Sequence, residues 1–204
     1  MPLAGNKILK HRIKRSLEVK MVYMFLAEGF EEVEALCPLD LLRRAGVKIM
    51  TVGVGGKVIR GSHGIEVIAD ITTYEAEKLL SKNPADMVIL PGGMPGTLNL
   101  QADETVNRFI AYASENGKYL AAICAAPLIL GELGLLKGKR AICYPGFEER
   151  LIGAEIAPEG VSVVTDGTVI TGKGMGVALE FGLALVGVLV SYEKADELRA
   201  AVQA

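Results

Sequence analysis

A chain of 204 residues, half of them hydrophobic, carries enough apolar material for one compact core and does not have the composition of a disordered protein. Net charge is −2 but unevenly spread. Residues 1–20 hold six Lys/Arg and one Glu, which leaves 16 basic against 23 acidic residues over 21–204, an acidic body that argues against nonspecific nucleic-acid binding.

The segment 1–20 lacks the apolar run of a secretory signal and reads as a basic N-terminal extension or leader. The remainder, 21–204, reads as a single domain. "MVYMFLA" (Met21–Ala27) is too short for a typical helix and predicts a buried strand. "EEVEALCPLDLLRRAG" predicts a helix. Val33, Leu36, Leu39, Leu41 and Leu42 recur at near-helical spacing, Gly46 is the stop, and Pro38 predicts a kink. "VKIMTVGV" predicts a second strand, and "GGKVIRGSHGIEVIADI" a short hairpin with His63 between glycines. Thr72 to Lys82 predicts a short helix, "ADMVILPGG" a buried strand ending in glycines, and Asp103 to Asn116 a helix with Asp103 near its start.

Tyr119 to Ile123 predicts another buried strand. Ala125 to Leu133 predicts a helix with Pro127 in its first turn, and Cys124 falls on the hinge between the two. "KRAICYPG" predicts a strand, Phe147 to Ile152 a short helix, and "VSVVTDGTVITGKG" a hairpin turning at Asp166-Gly167. Val177 to Val202 predicts one long helix. Its apolar stretch, Gly176 to Tyr192, is broken by Glu180, so a buried helix is expected and no membrane span. Strands alternating with helices imply an α/β fold with a mostly parallel sheet covered on both faces.

Sites in such folds form at the carboxyl ends of strands, where three segments carry chemistry. At a strand-to-helix turn, Cys124 is either a buried structural thiol or a nucleophile whose thiolate the helix N-terminus favours. In "EGFEEVEA" most acids are expected to form a solvated cluster at a helix start. Glu34 differs, lying among apolar positions where a buried carboxyl stays protonated. Gly92 and Gly93 in "LPGG" form either a simple turn or, with the amide of Ala125, an oxyanion hole. His63 is either a base for the cysteine or a surface histidine. Cys37 and Cys143 are expected in the core. Three cysteines without a CxxC are not a disulfide framework, and two histidines cannot build a His-rich zinc site. No metal and no cofactor are expected, and the setting is expected to be reducing and cytoplasmic.

Taken together, "AEGFEEVEA", "DLLRRAG", "VILPGG", "AAICAAP" and "GxALEFxLAL", in this order from Met21 onward, resemble the DJ-1/PfpI (ThiJ) superfamily, in its DJ-1-like branch. The resemblance implies a flavodoxin-like three-layer sandwich with a cysteine nucleophile elbow, and a homodimer. It implies Cys124 as nucleophile, a protonated Glu34 as its partner, and Gly93 with Ala125 as oxyanion donors. It places Arg44 on the dimer side of the pocket. Ala125 stands where the protease-like branch has a histidine, which argues against peptidase activity. Tyr144 stands where DJ-1-like proteins often have a histidine, and His63 near a frequent arginine. The implied activity is that of cofactor-free glyoxalases or deglycases acting on small aldehydes or glycated substrates. The alternatives are a cysteine-based sensor or protector in oxidative stress, and a scaffold acting through its dimer face.

Overall fold

The computed structural model describes residues 20–204, so all of the basic extension except Lys20 lies outside the described residues. A seven-stranded sheet runs in the order β10-β11-β7-β6-β1-β2-β5. From the middle outward it comprises β1 (Met21–Leu26), β6 (Met87–Leu90), β7 (Tyr119–Ile123), β11 (Val169–Gly172) and β10 (Val163–Asp166) on one side. On the other side lie β2 (Lys48–Gly53) and β5 (Ile71–Thr72). Every pairing in it is parallel except β10 with β11, the expected hairpin, whose two-residue turn is Gly167-Thr168, one position later than expected because Asp166 still pairs with Val169.

Successive strand residues point to opposite faces, and this alternation builds the layers. Tyr23 and Phe25 pack with Val88, Leu90 and Phe109 on one face. Val22 and Met24 pack with Met87, Ile89, Leu42 and Phe181 on the other. The first face is covered by helices that include α2 (Thr73–Leu80) and α4 (Glu104–Glu115). The second is covered by α1 (Glu32–Arg44), α6 (Ala178–Leu189) and α7 (Tyr192–Ala201). Asp103 caps α4 by accepting from the Val106 amide at 2.9 Å, and Thr72 caps α2 in a reciprocal box with Glu75. The arrangement is a three-layer, mostly parallel α/β sandwich of the flavodoxin-like kind.

Four expectations are corrected. The C-terminal helix is two helices. Ser191 is extended and caps the second by accepting from the Lys194 amide, and Tyr192 folds back over Gly187, where a Cβ would meet its ring at 2.8 Å. "KRAICYPG" supplies only the two-residue β8 (Arg140–Ala141), paired with β9 (Glu155–Ile156) outside the main sheet. After Ala141 the backbone bonds elsewhere: the Ile142 amide donates to the Thr171 hydroxyl, and the Tyr144 amide to the Cys124 carbonyl. Val33 is exposed and Glu34 fully buried, so α1 turns its carboxyl inward where the apolar periodicity predicted the valine. Cys37 is half-buried, and only Cys143 lies in the core. A short helix, α3 (Gly96–Ala102), was not anticipated. Among the described residues, no helix is long and apolar enough to cross a membrane.

Pro38, inside α1, meets α6 at Gly182, where a Cβ would lie 2.6 Å from Leu41 Cδ1 and 2.9 Å from Pro38 Cα. Gly182→Ala should therefore destabilise the fold by about 1–3 kcal/mol through overpacking. Urea unfolding measures it, and an unchanged midpoint would show that the two helices separate freely.

Candidate active site

Strand β7 ends at Ile123, and the chain turns at once into α5 (Pro127–Glu132). The turn is made by Cys124 with φ of 65°, a left-handed conformation that costs a non-glycine residue of order 1–3 kcal/mol. Three backbone hydrogen bonds hold it there. Cys124 donates to Gly172 O (2.9 Å), Tyr144 donates to Cys124 O (2.8 Å), and Ala126 donates to Ile123 O (3.1 Å). Strained strand-to-helix turns of this kind lift a side chain out of the sheet. α5 is shorter than predicted, with Pro127 as its first residue, where the missing amide costs nothing.

Glu34 reaches the elbow from the first turn of α1. Its amide is capped by the Glu31 carboxylate at 2.7 Å. The Gly92 amide donates to Glu34 Oε2 at 3.0 Å, while Oε1 is buried without a hydrogen-bond partner among the described residues. Burial pushes Glu34 up to about 7, although the Cys124 side chain and the Gly92 amide pull the other way. Burial, together with the neighbouring carboxylate, pushes the Cys124 thiol up to about 12, against the opposing pull of the Ala125 and Gly93 amides on the sulfur. Two anions cannot sit side by side here, so sulfur and carboxyl share a proton.

The glycines are required by contact. A Cβ on Gly92 would stand 2.6 Å from both Cys124 Cβ and Glu34 Oε2, and one on Gly93, at φ of 91°, would stand 2.4 Å from the Glu31 nitrogen. The glycine loop is thus pressed between the cysteine and the start of α1. The sequence-predicted set Cys124, Glu34, Gly92, Gly93 and Ala125 converges on one point.

The other candidates take different places. The His63 ring nitrogen Nδ1 lies 2.9 Å from Glu32 Oε2, with its ring exposed, so His63 is paired with Glu32 rather than with the cysteine. Tyr144 anchors the elbow through its backbone, and its ring edges Gly174. Arg44 bonds to Asp40 of its own helix at 2.6 Å, and Arg43 to Asp70 at 2.8 Å.

Glu32 was missed. It was read as part of a solvated acidic cluster, yet it is buried and accepts from the His63 and Ile65 amides, from Ser62 Oγ and from the His63 ring. Burial alone would raise it; the hydrogen bonds, that of His63 foremost, outweigh this and hold it down to about 2. The usable signal was the turn "GSHG", because a Cβ at Gly61 would strike Glu32 Oε1 at 2.3 Å. Glu32 therefore clasps the hairpin of β3 (Val58–Arg60) and β4 (Glu66–Ile68) to the start of α1, two residues before Glu34.

An α/β sandwich with a cysteine elbow is the class that this fold and site define: a cysteine in the left-handed conformation, a buried carboxyl beside it and two amides on its sulfur. The model of the DJ-1/PfpI family matches residues 20–187, and the chain belongs to that family. It is 36% identical to Protein DJ-1 homolog B of Arabidopsis thaliana over 185 residues, which are 90% of this chain and 41% of that protein. The chain thus spans about two-fifths of that relative's length. It is 32% identical to Protein dj-1beta of Drosophila melanogaster, covering 88% of this chain and 94% of that one. It is 28% identical to a Caenorhabditis elegans protein named glutathione-independent glyoxalase DJR-1.2, covering 84% and 89%. Among solved structures, a DJ-1 superfamily protein from Salmonella typhimurium superposes with a TM-score of 0.82 at 33% identity, covering 90% of this chain and 98% of that one. Oxidized Toxoplasma gondii DJ-1 gives 0.83 at 30% identity, covering 90% and 98%.

Glu32→Ala should cost about 1–3 kcal/mol, because it strands the His63 and Ile65 amides. The pH dependence has two signs. Glu32, held low in the fold, contributes stability above its ordinary value of 4.5 that is lost as pH falls toward 2. His63 is raised by its hydrogen bond to Glu32, so its contribution is complete below 6.5 and fades as pH rises through its folded value. Thermal melts of wild type and His63→Ala should differ at pH 5.5 and converge at alkaline pH. Parallel curves at every pH would separate His63 from the clasp.

Proposed function

We propose that the chain acts on small reactive aldehydes through Cys124, as a cofactor-free glyoxalase or deglycase-like enzyme. The observation that carries this reading is the fully buried Glu34 carboxyl against a cysteine at positive φ, with the Gly93 and Ala125 amides on its sulfur. The name of the nematode relative supports the same chemistry.

With a 2-oxoaldehyde such as methylglyoxal, the Cys124 sulfur adds to the aldehyde carbon while its proton passes to the Glu34 carboxylate and on to the new alkoxide. A C–S bond forms, and the carbonyl π pair moves to oxygen, where amide donors stabilise it. Glu34 then carries the proton from the first carbon to the second. Water hydrolyses the resulting thioester, giving lactate and the free thiol. One water is consumed and there is no net oxidation, so no cofactor is needed. The reading takes 21–204 as one domain and the assembly as a homodimer, which sedimentation measures directly.

A second reading has one supporting observation, the oxidized form in which the similar Toxoplasma protein was solved. Peroxide would oxidise Cys124 to a sulfinate, and a protonated Glu34 would hold that anion by a hydrogen bond. Peptide mapping after peroxide should then find two added oxygens on Cys124; oxidation spread evenly over Cys37, Cys124 and Cys143 would count against it.

Two outcomes test the enzymatic reading. Lactate formation should vanish in Cys124→Ser and fall by roughly 10²–10⁴-fold in Glu34→Gln; turnover at the wild-type rate in Cys124→Ser removes the cysteine mechanism. The alkylation rate of Cys124 should rise only in the strongly alkaline range, because burial and the neighbouring Glu34 carboxylate push the thiol up to about 12. In Glu34→Gln the carboxylate that holds the thiol up is gone, so the rise should move to lower pH than in wild type. Identical profiles would show that carboxyl and thiol are independent.

A further inference from the structure

The opposite edge of the sheet carries a cavity with chemistry of its own. The elbow lies at the carboxyl ends of the parallel strands. The amino ends of β1, β2, β6 and β7 open instead on a cavity of about 480 Å³, lined by Met21, Lys48, Lys82, Asn83, Asp86 and Lys118. That volume is in the range of small-molecule sites. Residues 21–204 hold 16 basic against 23 acidic residues, yet here three lysines meet a single carboxylate.

The carboxylate is already committed. Asp86 Oδ2 accepts the Met21 amide at 3.0 Å, and Oδ1 accepts from Lys118 Nζ at 2.9 Å. Burial raises Asp86, but these partners, with Lys20 nearby, outweigh it and hold the group below its ordinary value. Lys48 and Lys82 are exposed and form no ion pair among the described residues. The cavity therefore keeps an uncompensated positive charge.

Helix ends do not consume that charge, although cations often settle at helix C-termini. At the end of α2, Leu79 O accepts the Lys82 and Asn83 amides at 2.9 and 2.7 Å. At the end of α4, Tyr112 O accepts the backbone and side-chain amides of Asn116, and Ala113 O accepts the Lys118 amide at 2.8 Å. Backbone and Asn116 close these carbonyls, which leaves the lysine heads to the cavity.

The walls are fixed. Tyr23, a core residue of β1, donates its hydroxyl to Asn83 O at 2.8 Å and pins the loop that carries Lys82 and Asn83. Lys48 opens β2, opposite Met21, and Lys118 immediately precedes β7. β2 and β7 stand three strand spacings apart, about 14 Å. A ligand that bridges these walls carries more than one charged group.

We propose that this cavity binds a compact phosphoanion of the diphosphate class, held by Lys48, Lys82 and Lys118, with the Asn83 side chain as a neutral donor. Lysine heads suit phosphate as point charges. The acidic body repels a long polyanion, which favours a compact ligand. The site lies at the opposite edge from Cys124 and does not depend on the aldehyde reading.

Titration calorimetry with inorganic pyrophosphate at low salt tests it. The full chain should bind one equivalent, and Lys48→Gln combined with Lys82→Gln should weaken binding roughly tenfold, as for two exposed ion pairs. Lys57→Gln combined with Lys173→Gln removes the same charge beyond the carboxyl ends of β2 and β11, and should leave the affinity unchanged. Deleting residues 1–19, whose basic side chains offer a rival anion site, should also leave it unchanged. Competition by adenosine diphosphate separates two forms of the same chemistry, both of which sustain the site. Displacement points to an organic diphosphate, and its absence to the free anion. No binding, equal losses in the two double variants, or a loss confined to the shortened chain would overturn the site. So would a single-stranded oligonucleotide that binds more tightly than pyrophosphate through Lys48 and Lys82, because the surface would then be a polymer track.

Discussion

A carboxyl group without access to water sets the terms for the structure around it. Glu34 has no exposed surface, and an ionised carboxylate in that position would be expensive unless charge or hydrogen bonds compensated it. The surroundings compensate partly. One amide, from Gly92, reaches one oxygen, and the adjacent sulfur shares the proton. For that amide to arrive, residue 92 must have no side chain, because a Cβ would overlap both cysteine and carboxylate. For the sulfur to arrive, Cys124 must accept a left-handed backbone. Each demand follows from the burial of one group.

The fold supplies what those demands need. Parallel strands place their carboxyl ends on one edge, so β1, β6 and β7 deliver the starts of α1, the glycine loop and the elbow to neighbouring positions. The strain at Cys124 is held by hydrogen bonds from β11 and from the Tyr144 segment, both distant in sequence. A conformation costing one or a few kcal/mol persists only when such partners over-determine it. A second buried acid, Glu32, sits just before Glu34 on α1. Fully bonded, it is held anionic, whereas Glu34, half bonded, is held near neutrality. Two glutamates two residues apart thus hold their protons differently because they receive different numbers of hydrogen bonds.

Much of this was legible in the sequence. The apolar runs of β1, β6 and β7 were too short for helices and too continuous for surface strands. The cap residues Thr72 and Asp103 marked helix starts that the structure keeps. Cys124 was conspicuous because two periodicities meet there, Glu34 because it interrupts an apolar pattern, and the glycines because they end a strand. The errors fell where local pattern and tertiary contact disagree. Val177 to Val202 is helical in apolar pattern, yet it breaks where Ser191 turns extended to cap the second helix and Tyr192 packs back on Gly187. "KRAICYPG" has a strand's composition, but its amides go to the Thr171 hydroxyl and the Cys124 carbonyl instead of a ladder.

By itself, then, the sequence determined the layer architecture, the main helix starts and the identity of the residues at the elbow, because short-range periodicity and capping depend on neighbours within a few positions. Tertiary structure alone decided which acids are buried, which histidine is paired and which oxygen is left unbonded. Glu32 and Glu34 in "EEVEA" are both buried; they differ because residues 61–65 close over one with several hydrogen bonds, whereas the Gly92 amide alone donates a backbone hydrogen bond to the other. Hydrogen bonding and desolvation act between groups thirty or more residues apart, and nothing in local spacing encodes those distances.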